Sequence, residues 1–279
     1  MTAVEVEVRG GQSKKIVIRQ PRAGITWSNP HRISNEFHAL TVLEQAGAPA
    51  PRPLFLDPGS DGLPPKYMVT SFVEGAADFL PSDDRAFVDA LAATLADIHQ
   101  IDVGDEAMSL LPDQEAILSG FLNVMPDALD ETLEVTRILG VLKKTWPLPS
   151  RRKVLLHGDY WPGNVLWRDG SLSAVIDWEG CCVGHPLSDV AVMRLNLLWM
   201  LGDEAMKTFT ALYAKHSDCA LYLSDLPFWD LAAAMRPAAG LADWATGWAA
   251  AGRPDITEKV MRKKHQEFRT NALGRIAVS

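Results

Sequence analysis

The chain has 279 residues, 47% hydrophobic and 22% charged, a composition that supplies a full hydrophobic core and excludes a disordered chain. Its net charge of −8 makes nucleic acid a poor partner, since domains that bind nucleic acid present a basic surface. The longest apolar stretch is short and contains Arg194, and the first residues lack the apolar core of a signal peptide, so we expect no membrane association.

The first 75 residues contain four strand-like segments. Segments 3–8 and 14–19 alternate with period two around the short turn "GGQS", which predicts a β-hairpin. Segments 52–57 and 66–73 are two further strand candidates, and the turn-rich stretch "PGSDGLPP" separates them. This part of the chain is therefore expected to form a small antiparallel sheet.

One helix interrupts these strands. Asn29 or Ser34 is the expected N-cap, and the helix should run to about Gln45. Gly47 and Pro49 then end it.

Helical periodicity dominates after the stretch "EGAADFLPSDD". Ser82 is the expected N-cap of a helix whose apolar face carries Phe87, Leu91, Leu95 and Ile98 at spacings of four, four and three. Two more helices are expected within 113–145, with the break between them at Pro126. Later strands are expected at 153–156, 164–167 and 172–176, and later helices at 186–201, 203–217, 228–250 and 255–272.

This order of elements predicts an α+β protein with two lobes joined near 70–75. Residues 1–75 would form a small antiparallel-sheet lobe, and residues 76–279 a larger, mainly helical lobe.

The stretch "LLHGDYWPGN" at 155–164 places polar side chains on a turn straight after an apolar strand. His157, Asp159 and Asn164 have the spacing H-x-D-x-x-x-x-N, the catalytic-loop pattern of kinase-type phosphoryl transfer. A hydroxyl group that attacks phosphorus needs a carboxylate to orient it and accept its proton. Mg²⁺ prefers hard oxygen ligands, which an Asn carbonyl supplies. A second carboxylate, Asp177, follows the next apolar strand in "VIDWEG" and is well placed to bridge a metal to phosphates.

The segment 153–191, "VLLHGDYWPGNVLWRDGSLSAVIDWEGCCVGHPLSDVA", resembles the core signature of the aminoglycoside phosphotransferase and choline kinase-like family, whose members share a protein kinase-like fold. The resemblance implies that Asp159 is the catalytic base and that Asn164 and Asp177 are magnesium ligands. It also implies that His157 holds the loop by hydrogen bonds.

In the first lobe, "KKIVIRQP" resembles the strand that delivers a cation to the nucleotide phosphates. That cation is Arg19 here, where protein kinases use Lys, and Glu36 matches the helix glutamate that pairs with it. "VTSFVEG" resembles the hinge, so the backbone of Ser71, Phe72 and Val73 is expected to meet the purine.

The resemblance departs from the family at the start of the chain. Family members usually begin with one more strand and a Gly/Ser-rich turn over the phosphates, whereas this sequence starts at what resembles the following strand. We therefore expect a first lobe without that lid.

The activity that the resemblance implies is magnesium-dependent transfer of a phosphoryl group from ATP or GTP to a hydroxyl of a small molecule, in the cytoplasm. The alternative is a kinase-like binding module without turnover. A phosphohydrolase is disfavoured because the sequence offers no His ligands for a two-metal site.

The acceptor class is less constrained. Residues 1–75 carry eight Lys or Arg against seven Asp or Glu, and residues 76–279 carry 19 against 28, which favours a cationic acceptor, although a solvated acidic face also explains this bias. The acceptor pocket is expected near Trp229, Asp230, Asp243, Trp244 and Trp248. The two tryptophans one turn apart are either core residues or part of a cation-binding box.

Four other residues have open roles. Glu179 is expected either to touch the metal or acceptor or to be structural, and Asp189 to support the catalytic loop. Cys181 and Cys182 are expected to be reduced packing residues, with no zinc site.

Overall fold

The computed structural model describes residues 2–8, 12–20, 31–59, 66–123 and 129–276. Within these ranges the strands are β1 (Thr2–Val8), β2 (Gln12–Arg19), β3 (Pro53–Leu56), β4 (Met68–Ser71), β5 (Val154–Leu156), β6 (Val165–Arg168), β7 (Ser171–Val175) and β8 (Cys182–Gly184). The helices are α1 (Arg32–Gln45), α2 (Asp84–Gln100), α3 (Asp105–Leu110), α4 (Gln114–Asn123), α5 (Val135–Thr145), α6 (Leu187–Met200), α7 (Asp203–His216), α8 (Leu226–Ala234), α9 (Leu241–Ala250) and α10 (Glu258–Arg275).

The first four strands form one antiparallel sheet in the order β1-β2-β4-β3. The hairpin of β1 and β2 aligns Thr2 with Ile18, as the period-two pattern predicts. Helix α1 packs against β3. The small antiparallel sheet and the mainly helical remainder confirm the α+β class.

The helical part is built around α6. Almost every residue of this helix is buried, because apolar residues occur around its whole circumference and it is surrounded by α7, α8 and α10. Helix α2 packs against α7, and its predicted face is buried at Phe87, Leu91, Leu95 and Ile98. Two small antiparallel sheets, β5-β8 and the hairpin β6-β7, come between α5 and α6 in the chain, and an isolated bridge pairs Trp167 with Ala76.

Two predicted helix starts are wrong. Helix α2 is capped by Asp83, not Ser82, because the Asp83 carboxylate accepts hydrogen bonds from the amides of Arg85 and Ala86, both at 3.0 Å. Ser34 lies inside α1, and His31 precedes its first residue. Some predicted features lie outside the described residues, namely Gly10 and Gly11 of the first turn, Asn29, most of the turn at 58–65, and Pro126.

The single helix predicted over 228–250 is also wrong. The structure has α8 and α9 there, separated by a 3-10 turn at Arg236–Ala239. Pro237 cannot donate a backbone hydrogen bond and ends the first helix, and Gly240 precedes the second. Helix α3 and strand β8 were not predicted. No described helix combines the length and the apolarity that crossing a membrane requires.

Candidate active site

The loop after β5 is held in place by hydrogen bonds to a buried carboxylate. Asp189, at the start of α6, accepts hydrogen bonds from the amides of His157 at 2.7 Å and Gly158 at 2.9 Å. Gly158 has a φ of +80°, and a Cβ atom there would overlap the carbonyl oxygen of Gly180. Only glycine therefore fits at this position. These contacts are those of the supporting role expected for Asp189.

Asp189 is itself kept ionised by its neighbours. Burial acts to raise the pKa of this fully buried carboxyl, but the hydrogen bond and charge of His99, together with the backbone amide of His157, outweigh burial and lower it. His99 lies 3.3 Å from Asp189 through Nε2, and its Nδ1 lies 2.7 Å from the hydroxyl of Tyr213. The loop thus rests on a charged anchor.

His157 connects the loop to the segment after β7. Its Nε2 lies 2.9 Å from the carbonyl oxygen of Ile176, and its Nδ1 lies 3.1 Å from the amide nitrogen of Asp159. A carbonyl oxygen only accepts, so Nε2 carries the proton and Nδ1 accepts from the amide. The ring is fully buried and lies 4.6 Å from the ring of Trp178. Such contacts position the loop and leave His157 no access to a ligand.

Asp159 and Asn164 are fixed relative to each other. The amide nitrogen of Asn164 donates to the backbone oxygen of Asp159 at 2.9 Å and lies 3.3 Å from its carboxylate. This orientation leaves the Asn164 side-chain oxygen available as a ligand. The Asp159 side chain is 40% exposed, and its other carboxylate oxygen forms an ion pair with Arg236. Arg236 also donates to the backbone oxygen of Gly158 at 3.1 Å.

Arg19, at the end of β2, brings together three separate parts of the chain. Its Nε lies 3.0 Å from the Glu36 carboxylate on α1, and its Nη2 lies 2.6 Å from Asp177 Oδ1. Glu179 is farther away, with Oε2 at 3.9 Å from Nη2. Glu179 pairs more closely with Arg32, at 3.0 Å. One guanidinium is therefore shared by carboxylates from α1 and from the segment after β7.

The charges of this cluster act on one another. Burial raises the pKa of Glu36 to about 7, and the negative charges of Asp177 and Glu179 add to this effect against the opposing charge of Arg19. The Glu36 side chain is only 2% exposed. Burial acts to lower the pKa of Arg19, but the surrounding carboxylates, Glu36 first, outweigh it and raise the pKa.

Asp177 lies beside the loop after β5 because the residue before it, Ile176, is held there. Ile176 donates its amide to the backbone oxygen of Asn164 at 2.8 Å and accepts from His157. Asp177 follows with a φ of +67°, in the left-handed region that Asp and Asn tolerate better than most residues. The geometry thus brings Asp177 close to Asn164 while its carboxylate contacts Arg19 from the sheet.

The three residues expected at the hinge follow one another at the end of β4. The Phe72 amide donates to the backbone oxygen of Lys15 at 3.3 Å, and the Ser71 hydroxyl accepts from the amide of Arg52 at 2.9 Å. Phe72 is exposed and Val73 is half-buried. These residues lie between the sheet and the first helix of the helical part.

A cleft of about 310 Å³ opens next to Asp159. The residues that line it are Asp159, Trp161, Asn196, Arg236, Trp244, Gly247, Trp248 and Ala251. Trp248 lines the cleft and also packs in the core, against Phe79 and Trp161 at ring-centroid distances of 5.4 and 5.8 Å.

Three of the five residues expected near the acceptor pocket do not line this cleft. Asp230 is buried beneath α6 in an ion pair with Arg194 at 2.9 Å, where burial raises the pKa of the carboxyl against the charge of Arg194. Trp229 is buried beside His185, at a ring-centroid distance of 5.2 Å. Asp243 is exposed and is not among the residues that line the cleft. The prediction that Asp230 and Asp243 line the acceptor pocket beside the tryptophans is therefore wrong.

Sequence reasoning missed three residues of the site. Arg236 contacts Asp159 across 77 positions, Arg32 contacts Glu179 across 147, and His99 contacts Asp189 across 90. Such distant pairs leave no trace in local spacing. Only Pro237, next to Arg236, offered a local signal, because proline is disfavoured inside a helix.

Residues 3–222 match the sequence model of a family described as the phosphotransferase enzyme family. Acyl-CoA dehydrogenase family member 11 of Rattus norvegicus is 25% identical over 205 residues, which are 67% of this chain and 26% of that protein. The protein of the same name from Homo sapiens is 24% identical over 201 residues, which are 66% of this chain and 25% of that protein. The chain thus spans about a quarter of the length of these curated relatives.

Similar solved structures cover most of the chain. An amicoumacin kinase in complex with AMP-PNP, Ca²⁺ and Ami has a TM-score of 0.61 at 17% identity, covering 99% of this chain and 86% of that one. An aminoglycoside-3'-phosphotransferase of type VIII has a TM-score of 0.57 at 24% identity, covering 82% and 92%. These likenesses show a protein kinase-like fold, as the sequence resemblance implied.

Proposed function

The chain belongs to the phosphotransferase enzyme family, and from that premise we propose that it transfers the γ-phosphoryl group of ATP or GTP to a hydroxyl group of a small molecule. The observation that carries this proposal is the convergence of Arg19, Asp159, Asn164 and Asp177 from distant parts of the chain. The names of the structural neighbours support a small acceptor, since they include kinases of amicoumacin and of aminoglycosides.

In this proposal residues 1–75 bind the nucleotide and residues 76–279 carry the catalytic loop and the acceptor cleft. Arg19, held by Glu36, would donate hydrogen bonds to the nucleotide phosphates. The backbone of Ser71, Phe72 and Val73 would face the base. The amicoumacin kinase is in complex with the nucleotide AMP-PNP, which supports a nucleotide as the donor.

Asp159 would orient the acceptor hydroxyl and accept its proton as the oxygen–phosphorus bond forms. The carboxylate is suited to this task because it is partly exposed beside the cleft and because Asn164 fixes its position. His157 and Asp189 would act as positioning residues, since both are buried and hold only the loop. Catalysis of this kind depends mainly on positioning and electrostatics.

The residues present fit a magnesium ion. Asn164 and Asp177 would hold it, because they offer an amide oxygen and a carboxylate, and Mg²⁺ is commonly bound by one or two such groups together with substrate phosphates. When bound, the ion would neutralise part of the phosphate charge. Asp177 would then exchange its contact with Arg19, now 2.6 Å long, for the ion, and Arg19 would turn to the phosphates.

The first experiment measures thermal unfolding with Mg-ATP and with Mg-GTP. A nucleotide at a hundred times its dissociation constant adds about 2.7 kcal/mol to the free energy of unfolding, which corresponds to a rise of about 5 °C in Tm for a chain of this size. Asp177→Asn should abolish the rise. Asn is chosen because it also tolerates the positive φ at this position.

Asp169→Asn is the matched control, since Asp169 also has a positive φ, of +50°, but is exposed on the turn between β6 and β7. It should keep the full rise. Asp159→Asn should also keep the rise but lower turnover by about 10²- to 10⁴-fold once an acceptor is known. No rise with either nucleotide would contradict the proposal, and a rise without turnover on any acceptor would favour a kinase-like binding module.

A further inference from the structure

The acceptor cleft contains a positive charge in contact with the proposed base. Arg236 extends from the 3-10 turn between α8 and α9, forms an ion pair with Asp159, and lines the same cleft as that carboxylate. Among the described lining residues these two are the charged ones, so the wall of the cleft has no net formal charge. The rest of the wall is dominated by Trp161, Trp244 and Trp248.

We infer that Arg236 selects the acceptor, by binding an anionic or carbonyl oxygen next to the reacting hydroxyl and by repelling an ammonium group there. This inference rests on the proposed function, since it assigns the cleft to the phosphoryl acceptor. It makes Arg236 a specificity-determining residue and disfavours the cationic acceptor that the charge distribution along the chain suggested.

The number of donors on Arg236 supports this role. A guanidinium has five N–H donors in one plane and stays protonated at every accessible pH. The contacts with Asp159 and Gly158 use two of these donors. An acceptor that fills the cleft displaces water from the guanidinium, so binding is favourable only when the acceptor offers an oxygen in place of that water.

The position of the ion pair explains why an ammonium group is disfavoured. An acceptor hydroxyl must approach the carboxylate of Asp159, and Arg236 already lies against one of its oxygens. A positive group beside that hydroxyl would lie next to the guanidinium, where like charges repel. The tryptophan rings could attract a cation through their faces, but no described lining residue except Asp159 carries a negative charge to balance it.

The test compares three probes that share an aromatic body and carry different groups beside the hydroxyl. Phenyllactate has a carboxylate, phenyllactamide has a neutral amide, and phenylalaninol has an ammonium group. Binding to the full chain is measured by isothermal titration calorimetry, which does not require turnover. Wild-type protein should bind phenyllactate most tightly and phenylalaninol most weakly.

Arg236→Gln should weaken the binding of phenyllactate by at least about tenfold, or 1.4 kcal/mol. It should strengthen the binding of phenylalaninol, because the Asp159 carboxylate is released from its ion pair. Arg236→Lys should weaken phenyllactate less, since it keeps the charge without the planar fork. Arg137→Gln is the matched control, because Arg137 is an exposed arginine on α5 that pairs with Glu134. It should leave the order of the probes unchanged.

Asp159→Asn removes the other partner of the same ion pair. It frees the guanidinium, so phenyllactate should bind more tightly than to wild-type protein. This arm tests the inference by itself if Arg236→Gln does not fold. An unchanged affinity for phenyllactate in Arg236→Gln, tighter binding of phenylalaninol by wild-type protein, or no binding of phenyllactate would each overturn the inference.

The nucleotide experiment distinguishes this result from failure of the proposed function. Thermal unfolding with Mg-ATP and Mg-GTP is measured on the same samples. A nucleotide response without the expected order of probes refutes the role of Arg236 alone. The expected order without any nucleotide response supports Arg236 as an oxygen-binding residue and refutes phosphoryl transfer.

Discussion

Glu36→Gln tests how much the ionised Glu36 carboxylate destabilises the protein. The pKa of Glu36 rises from its ordinary value of 4.5 to about 7, because the carboxyl is buried and lies close to Asp177 and Glu179. Because the folded-state pKa lies above the unfolded one, the stability contributed by this group is fully present below about pH 4.5 and is lost as the pH rises through about 7. At neutral pH the ionised carboxylate therefore destabilises the free protein.

The expected magnitude follows from the size of that shift. A rise from 4.5 to about 7 corresponds, at about 1.4 kcal/mol for each pKa unit, to about 3 kcal/mol in total. Most of it, about 2 to 3 kcal/mol, develops between about pH 5 and pH 8. Glutamine removes the charge but still accepts a hydrogen bond from Arg19, which keeps its contact with Asp177 at 2.6 Å. The variant should therefore be nearly as stable as wild-type protein at pH 5 and more stable at pH 8.

The assay is urea unfolding followed by tryptophan fluorescence across that pH range, without nucleotide. The quantity compared is the difference in free energy of unfolding between the variant and wild-type protein, because other titrating groups cancel in that difference. Glu44→Gln is the control, since Glu44 is exposed on the same helix α1. A difference that stays constant with pH, or a variant less stable than wild-type protein at pH 8, would refute the reasoning.

Two further predictions concern the support of the loop after β5, and both are checked by urea unfolding. Asp189 accepts hydrogen bonds from the backbone amides of His157 and Gly158. Asp189→Asn places a side-chain N–H₂ group against one of these amides and should lower the free energy of unfolding by about 3 kcal/mol. A loss below about 1 kcal/mol would contradict this role of Asp189. Gly158→Ala should lower the free energy of unfolding by more than about 2 kcal/mol, because the new Cβ would overlap the Gly180 backbone. Gly170→Ala has a similar φ, of +77°, but open space around it, so equal losses in the two alanine variants would show that the contact with Gly180 does not matter.

The parts of the fold that the sequence predicts are those with local causes. The period-two alternation of β1 and β2 and the apolar spacing along α2 each depend on neighbours within one element. The loop at His157–Asn164 was identifiable because its polar residues lie close together in the chain. The N-cap of α2 was misplaced by one residue, since Ser82 and Asp83 are both good caps and only the hydrogen bonds distinguish them.

The parts that could not be predicted depend on contacts between distant residues. Helices α8 and α9 are both rich in apolar residues, so the pattern runs across Pro237 without a change of period. Strand β8 has only three residues and exists because it pairs with β5. Asp230 looked like a free acidic residue of the acceptor pocket, and only the fold shows that Arg194 neutralises it beneath α6.

The two carboxylates to which we assign the base and metal-ligand roles are each paired with an arginine in the structure. Asp159 pairs with Arg236, and Asp177 pairs with Arg19. In the proposed reaction Arg19 exchanges the Asp177 carboxylate for an incoming phosphate oxygen, so its buried positive charge is not left unpaired, which would be strongly unfavourable. This exchange also accounts for Arg19 at a position where protein kinases use lysine. The planar guanidinium holds Glu36 through Nε while Nη2 is released from Asp177, whereas a lysine ammonium would have to hold both partners from a single nitrogen.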